Sequence, residues 1–376
     1  MGLFTSPSSL SRMKSDAYIF LKPWGKISRR NWQDWRWQFK NSIQSLPQLA
    51  EALDKPIHSL GKYQAVIARY HFRISPYYLS LIDVRDELDP IRRQCFPNVK
   101  EILYSLGGVI DPLKEKERMP VWGLIHRYSD RCLAMATNVC ATYCRHCNRK
   151  NMWRVDPSMF SESRLKAVIE YVSRAQNIRE VIVSGGDPLT MNEQLLDWFL
   201  GSLRSIPHVE VLRIGSRMPV VLPMRISRRI CDILRKHRPV WFNTQFNHPR
   251  EITEASTKAC EMLLDAGIPV SNQSVFLKGI NDNYETMRAL LHGLQCISVR
   301  PYYLFQCDPV AGADHFRADV PSCLRIMRKL QDSTSGLCVP QYVLDTPGGK
   351  GKVSLLGLTD KEIIEGIYEH FFDKTM

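Results

Sequence analysis

Three cysteines within eight residues are the feature of this chain with the clearest chemical potential. Cys140, Cys144 and Cys147 form a C-x₃-C-x₂-C array in "NVCATYCRHCNRK". Structural zinc takes four ligands, and His146, the nearest other donor, lies between two of the cysteines, where tetrahedral ligation is awkward. A four-cysteine electron-transfer cluster lacks its fourth cysteine nearby. Three thiolates can instead hold three irons of a [4Fe–4S] cluster and leave the fourth iron open to an outside ligand; the alternative is three inert thiols.

Two glycine-bearing segments are further candidate binding sites. "VSGGDPL" supplies Ser184, Gly185, Gly186 and Asp187 at the end of an apolar run, where glycine permits close backbone approach to a ligand. Turn chemistry explains such a segment equally well. "LDTPGGKGKVSL" presents lysines on a Pro/Gly loop, which suits either a solvated turn or a lysine that forms a Schiff base with pyridoxal phosphate (PLP).

Composition limits the class of protein. The 376 residues correspond to about two domains, and no run of 18 apolar residues suggests a membrane span. The N-terminus has no apolar segment of a signal peptide, so we expect a cytoplasmic protein. Six further cysteines are expected to be buried free thiols: Cys95, Cys231, Cys260, Cys296, Cys323 and Cys338. The net charge of +13 comes from scattered residues, which favours a site for anionic small ligands over nucleic-acid binding.

The pattern of segments from residue 131 onward predicts the fold that positions these residues. Apolar, β-rich runs alternate with helical segments six times, and a seventh short strand, "CVPQYVL", follows. Such alternation predicts parallel strands in an open barrel, with the chemistry at the carboxyl ends of the strands. Helices are predicted at 161–175, 193–206, 227–237, 253–266, 284–294 and 321–334.

The N-terminal hundred residues are predicted to be mostly helical. "NWQDWRWQFKNSIQSLPQLAEAL" places Trp32, Trp35, Phe39 and Ile43 at three- and four-residue spacings, the pattern of one amphipathic helix packed on the core. We expect three units: a mostly helical region at 1–115, the partial barrel at 116–335, and a C-terminal strand, lysine loop and helix at 336–376.

Taken together, the motifs resemble the lysine 2,3-aminomutase family of radical S-adenosylmethionine (SAM), PLP-dependent enzymes. The resemblance is collinear from about residue 30 to residue 355. It implies the α/β fold of that family, a partial (β/α)6 TIM-like barrel of the radical SAM type. The stretches that carry it are "DWRWQ", "HRYSDRCL", "CATYCRHCNRK", "VSGGDPL", "LRIGSRMPVVLPMRI", "FNTQFNHPREIT", "NQSVFLKGIND", "RPYYLFQCD" and "DTPGGKGK".

The resemblance also implies a role for each matching residue. The three cysteines would hold the cluster, and Lys352 would bear PLP. Arg149 would bind the substrate carboxylate, while Asp308 and Asp345 would bind a distal ammonium. The PLP site would add Arg127, Tyr128 and Arg131. The SAM site would comprise Ser184, Gly185, Gly186, Asp187, Arg217, Gln245 and Gln273.

Three departures from the family pattern qualify these assignments. Lys350 is an extra lysine in the glycine run and competes with Lys352. Gln245 replaces an expected histidine. Longer family members end in a cysteine-rich tail that binds zinc with a partner cysteine, whereas Asn283 occupies the partner position here. We therefore expect no zinc.

The implied activity is an isomerase that moves the α-amino group of a basic amino acid to Cβ, with lysine giving β-lysine. The implied partners are a flavodoxin or ferredoxin as reductant and further copies in a homo-oligomer, without nucleic acid or membrane. Alternatives are an arginine 2,3-aminomutase of an antibiotic pathway, or the paralogue that rearranges lysine for elongation factor P. A nucleic-acid-modifying radical enzyme and a non-catalytic iron–sulfur or zinc scaffold are the other classes.

Overall fold

The computed structural model describes residues 19–103, 108–346, 348 and 351–357. Its N-terminal part begins with an antiparallel hairpin of β1 (Ile19–Leu21) and β2 (Gly25–Ile27). Seven short helices follow: α1 (Arg29–Gln33), α2 (Trp35–Lys40), α3 (Leu46–Leu53), α4 (Gln64–Arg69), α5 (Pro76–Ser80), α6 (Pro90–Cys95) and α7 (Lys100–Leu103).

The single amphipathic helix expected around Trp32 to Ile43 is wrong, because the segment is divided between α1 and α2, and Ile43 lies beyond the end of α2. Asp34 ends α1 with extended backbone and caps α2, where its carboxylate accepts a hydrogen bond from the Arg36 amide at 2.9 Å. Ile43 pairs with Ile74 in an isolated β-bridge. Capping side chains thus override a helical apolar spacing, although the predicted contact of these apolar residues with the core is confirmed.

A sheet of nine strands among the described residues forms the frame of the site. Its strands lie side by side in chain order from β3 to β11. They are β3 (Leu124–Tyr128), β4 (Arg131–Thr137), β5 (Glu180–Gly185), β6 (Val211–Gly215), β7 (Val240–Thr244), β8 (Val270–Val275), β9 (Arg300–Phe305), β10 (Gln341–Asp345) and β11 (Lys352–Ser354).

Strands β4 to β10 are parallel and are connected by helices, as the alternation predicts. The predicted partial barrel of six strand–helix units is confirmed. The connecting helices are α8 (Glu162–Arg174), α9 (Glu193–Arg204), α10 (Met218–Val221), α11 (Arg228–Lys236), α12 (Glu254–Asp265), α13 (Tyr284–Cys296) and α14 (Val320–Ser333). Single 3₁₀ segments lie at Ile57–Tyr63, Lys116–Arg118, Lys150–Met152, Pro157–Phe160, Pro188–Thr190, Pro223–Arg225, Pro249–Glu251 and Asp314–Phe316.

Alternation along each strand separates the core from the barrel interior. In β5, Val181 and Val183 are fully buried in the main core, whereas Ile182 and Ser184 line the interior cavity. Because side chains on a strand alternate between faces, every strand can serve packing and site at once. The main core also contains residues of α3 and α5, so the N-terminal helices pack on the barrel. The division at residues 115 and 335 stays a prediction.

Two antiparallel strands at the edges, β3 and β11, were not predicted from the sequence. β3 pairs with β4, and β11 pairs with β10 in a register that sets Lys352 opposite Asp345. Among the described residues, the backbones of β3 and β11 form no ladder with each other, so the barrel is open. Side chains span this seam, where Arg127 on β3 contacts Asp345 on β10.

Eleven cysteines, all among the described residues, form no disulfide. Burial is confirmed for five of the six expected core thiols, but Cys296 is exposed at the end of α13. No helix in the described ranges is long and apolar enough to cross a membrane.

Candidate active site

All the residues assigned to a site from the sequence line one cavity of about 650 Å³. The cavity occupies the barrel interior, between the loop that follows β4 and the edge strand β11. Residues separated by more than two hundred positions meet there because the carboxyl ends of parallel strands lie at one end of a barrel. The structure therefore brings together the three candidate cysteines, the glycine turn and the candidate PLP lysine.

The three candidate cysteines lie in the loop after β4. The loop turns tightly, since the Cys147 amide donates to the carbonyl of Cys144 at 3.0 Å. Burial, followed by the charge of Asp187 and the neighbouring thiols, raises the pKa of Cys140 well above its usual value. Burial and then Cys144 raise the pKa of Cys147 to about 11. Three mutually repelling thiolates become favourable when cations are placed among them.

This donor set fits an iron–sulfur cluster better than a single metal ion. Among the described residues, no three or more His, Cys, Asp or Glu side chains are grouped closely enough to hold one ion. In a [4Fe–4S] cluster each cysteine binds a different iron, so its ligands need not converge on one point. The observed arrangement of three thiols around one cavity meets that requirement.

The glycine turn after β5 packs directly against the cysteine loop. The Gly186 amide donates to Thr137 at 2.5 Å, and the Asp187 amide donates to Val139 at 2.8 Å. A Cβ on Gly186 would lie 2.5 Å from the carbonyl oxygen of Val139. The close approach that demands glycine here is to the backbone of the cysteine loop. Ligand approach, the reason expected from the sequence, is not needed to explain it.

Asp187 is committed to holding neighbouring segments. Its buried carboxylate accepts hydrogen bonds from Ser216 Oγ at 2.8 Å, the Arg217 amide at 2.9 Å and the Leu189 amide at 3.1 Å. Burial raises its pKa to about 6, and the Ser216 hydrogen bond opposes that rise. The side chain thus ties the β5 turn to the segment after β6. A SAM contact of Asp187 stays a prediction.

Arg217 lies behind the cysteine loop with most of its donors engaged. Its Nη1 donates to Sγ of Cys144 at 2.8 Å, and its Nε donates to the Gln245 carbonyl at 2.9 Å. Its Nη2 contacts Glu251 at 2.7 Å and Gln94 at 2.6 Å. The observed partners of Arg217 are therefore protein groups beside the candidate cluster, and its assignment to SAM stays a prediction.

Gln245 stands where the family pattern has a histidine, and a histidine from elsewhere contacts it. Nε2 of Gln245 lies 3.2 Å from Nε2 of His146. Burial, with Arg217 and Lys150 nearby, holds the pKa of His146 well below its usual value, so its ring is neutral. Gln273 lines the same cavity from β8.

Lys352 lies at the seam of the barrel among the residues assigned to PLP. Its Nζ lies 3.4 Å from the Tyr128 hydroxyl and 3.3 Å from Oδ2 of Asp345. Arg127 contacts Oδ1 of Asp345 at 2.7 Å. The Arg131 guanidinium lies over the Tyr128 ring, 3.9 Å from its centroid. Cations and a phenol thus surround one amine, which suits an anionic, aromatic cofactor. Lys350 lies outside the described residues.

The candidate substrate residues carry an imbalance of charge. Asp308 has a buried Oδ1 without a hydrogen-bond partner in the described structure. Burial, then the charges of Asp345 and Glu115, raises the pKa of Asp308 to about 7, while a hydrogen bond with Asn148 and the charge of Lys352 oppose that rise. Such a carboxyl is ready to accept a cation that the protein does not supply.

Glu115 is a site residue that sequence reasoning missed. It lines the cavity and contacts Arg149 twice, from Oε1 to Nη2 at 2.6 Å and from Oε2 to Nε at 2.8 Å. It lies in "DPLKEKER", a charged segment whose spacing matches no helix face or ligand motif. Only its proximity to "HRYSDR" could have marked it.

The comparisons with known proteins place the chain in a family. Residues 135–291 match the model of the Radical SAM superfamily. An L-lysine 2,3-aminomutase of Fusobacterium nucleatum is 43% identical over 88% of this chain and 78% of that protein. The chain belongs to the lysine 2,3-aminomutase family.

Other relatives give the range of the family. An L-lysine 2,3-aminomutase of Bacillus subtilis is 43% identical over 88% of this chain and 70% of that protein. A glutamate 2,3-aminomutase of Clostridioides difficile is 40% identical over 88% of this chain and 78% of that protein. The chain is thus a radical SAM aminomutase, an isomerase with a [4Fe–4S] cluster, SAM and PLP as cofactors. Its small-molecule substrate is an amino acid.

Proposed function

We propose that this aminomutase acts on a basic amino acid, and that it converts L-lysine to β-lysine. The observation that supports this substrate is the carboxyl of Asp308, whose Oδ1 is buried and without a partner. A cationic side chain would supply the missing charge. A glutamate side chain would instead place a further carboxylate beside Asp308, Asp345 and Glu115, which like-charge repulsion opposes.

The remaining residues are assigned roles from the family resemblance, and their places in the cavity support this assignment. Cys140, Cys144 and Cys147 would bind three irons and leave the fourth iron to SAM. The SAM molecule would lie along the ends of β5 to β8, where the other residues assigned to it line the cavity. These are Ser184, Gly185, Gly186, Asp187, Arg217, Gln245 and Gln273.

Lys352 would hold PLP, with Tyr128 beside its amine and with Arg127 and Arg131 providing positive charge for the phosphate. When bound, the cluster and SAM supply radical chemistry, and PLP supplies a conjugated ring that delocalises an unpaired electron. The barrel walls around the cavity would limit the access of water and competing hydrogen donors to this chemistry.

The substrate would lie between two charged ends of the cavity. Arg149 would bind its α-carboxylate, and Asp308 with Asp345 would bind its distal ammonium. Oδ2 of Asp345 contacts Nζ of Lys352 at 3.3 Å, and this oxygen is free for a substrate cation once Nζ bonds the cofactor. Fixing both ends sets Cα and Cβ at one place in the cavity, which is the protein's main contribution to an intramolecular migration.

The proposal also includes a reductant, a compartment and an assembly state. A one-electron reductant such as flavodoxin or ferredoxin would serve the cluster in the cytoplasm, and the chain would act as a homo-oligomer. A reductant is needed because the cluster must be reduced before each reductive cleavage of SAM.

Product identification under turnover tests the proposed function. Anaerobically reconstituted protein is incubated with dithionite, SAM and lysine, and α- and β-isomers are separated by mass spectrometry. We expect β-lysine from the wild type. The matched variant is Asp308→Asn, which preserves side-chain volume and removes the charge. Loss of a charge-assisted contact of about 1.5–3 kcal/mol should lower kcat/KM roughly ten- to a hundredfold. Absence of β-lysine from cluster- and PLP-loaded protein would refute the substrate.

A further inference from the structure

Glu115 contacts the cavity arginine from outside the motifs that carry the family resemblance. Its carboxylate and the Arg149 guanidinium form a two-point contact at 2.6 Å and 2.8 Å. Both side chains are largely buried, with 13% of Glu115 and 18% of Arg149 exposed. Such a paired contact fixes the plane of the guanidinium as well as its position.

The loop around Glu115 is itself held in place. The Glu115 amide donates to Oδ1 of Asp111 at 2.9 Å, and the Lys116 amide donates to Oδ2 of Asp111 at 3.0 Å. Glu115 then leads directly into the 3₁₀ segment Lys116–Arg118. The carboxylate therefore approaches Arg149 from a defined direction.

Only one edge of the guanidinium is used by this contact. Glu115 occupies Nε and Nη2, while Nη1 of Arg149 has no hydrogen-bond partner among the described residues. Arg149 lines the cavity, as do Asn148 and Cys147. A guanidinium has two edges that can each bind a carboxylate, so the Nη1 side is left for a ligand in the cavity.

We propose that Glu115 is a positioning residue, which holds Arg149 so that its Nη1 edge faces the cavity and binds the α-carboxylate of the substrate. The inference rests on the proposed function, because that function assigns the carboxylate to Arg149. Without Glu115, the long arginine side chain would lose its fixed orientation and would pay the entropy of ordering each time substrate binds.

A pair of amines that differ by one carboxylate tests this role without turnover. PLP- and cluster-loaded protein, without reductant, is titrated with lysine and with 1,5-diaminopentane, and the PLP absorbance reports binding. In the wild type we expect lysine to bind about ten- to a hundredfold more tightly, the range of one charge-assisted contact. In Glu115→Ala we expect that ratio to fall close to one, because both ligands carry the same two amines and only lysine has the carboxylate that Arg149 would bind.

Arg149→Gln is the matched control, and the double variant completes the cycle. Arg149→Gln should also bring the ratio close to one, and adding Glu115→Ala to it should change nothing further, because the two residues act as one unit. An unchanged ratio in Glu115→Ala, or an increased one, would overturn the inference; an increase would mean that Glu115 competes with the substrate carboxylate.

The same experiment distinguishes failure of the proposed role of Arg149 from failure of the positioning role of Glu115. If Arg149→Gln leaves the lysine preference intact, the proposed carboxylate role of Arg149 fails, and the role of Glu115 fails with it. If Arg149→Gln abolishes the lysine preference but Glu115→Ala leaves it intact, only the positioning role of Glu115 fails. Iron and PLP content report folding. Should Glu115→Ala lose either, Glu115→Gln replaces it, with the same expected fall and the same contradicting result.

Discussion

At the scale of single residues, the candidate cluster cysteines differ from the other thiols in having each other as neighbours. We predict that Cys144→Ala abolishes cluster binding and SAM cleavage, because the cluster needs all three thiolates. Iron content and deoxyadenosine formation check this. Cys296→Ala is the control, since Cys296 is exposed and lies outside the cavity. Normal iron content in Cys144→Ala would remove the basis of the cluster assignment.

The choice between two lysines is also a question for single residues. We predict that Lys352, and not Lys350, carries PLP, because Nζ of Lys352 lies in the cavity beside Tyr128 and Asp345. Borohydride reduction followed by peptide mapping should find the pyridoxyl group on Lys352, and Lys352→Ala should lack the PLP absorbance after dialysis. An adduct on Lys350 would reverse the assignment.

Asp308 should give the enzyme a pH dependence. Its pKa is raised to about 7 by burial and by the carboxylates of Asp345 and Glu115. Below that pH the carboxyl is protonated and cannot pair with a cation, so kcat/KM for lysine should rise as the pH increases through about 7. Since kcat/KM reports groups of the free enzyme, Asp308→Asn should lose this rise. A rise that persists in the variant would assign it to another group.

Elements are the scale at which the glycine turn acts. We predict that Gly186→Ala lowers the free energy of unfolding by about 1–3 kcal/mol and reduces iron content, because the new Cβ would strike the loop that carries Cys140. Gly61→Ala is the control, since a Cβ there meets nothing within 4 Å. Denaturant unfolding and iron analysis measure both effects. Equal stability of the two variants would show that the turn does not press on the loop.

The elements differ in how far the sequence could predict them. The parallel strands β4 to β10 and their helices follow from long alternating segments, whose apolar period is set by burial on one or both faces. The division of the segment around Asp34 does not follow, because a cap formed by one side chain ended a helix that spacing alone would continue. Strands β3 and β11 could not be predicted from the sequence either, since each is short and pairs with a single neighbouring strand.

Across the whole molecule, the open barrel is spanned at its seam by residues of the site. Arg127 on β3 contacts Asp345 on β10 at 2.7 Å, and Lys352 on β11 lies 3.4 Å from the Tyr128 hydroxyl. The Gly348 amide donates to the Pro112 carbonyl at 3.0 Å nearby. Binding of ligands at Asp345 and Lys352 therefore engages the same groups that join the two edges of the sheet.

The sequence identified candidate site residues that line one cavity where a single short motif contains them, as with the three cysteines and Lys352. Contacts between residues of different motifs could not be predicted from the sequence. The contact of Glu115 with Arg149 joins two loops, and the engagement of Arg217 with Cys144 joins two strand ends. Neither pairing leaves a spacing signal, because both arise only when the strands are arranged in the barrel.

Competition among amino acids is the direct test of the preference for a cationic side chain. Lysine, arginine and glutamate are supplied together at equal concentration to the reduced, SAM- and PLP-loaded enzyme, and the β-isomers are quantified at early times. We predict the most product from lysine, less from arginine and the least from glutamate, because Asp308 and Asp345 favour a cation. Faster isomerisation of glutamate than of both cations would contradict it.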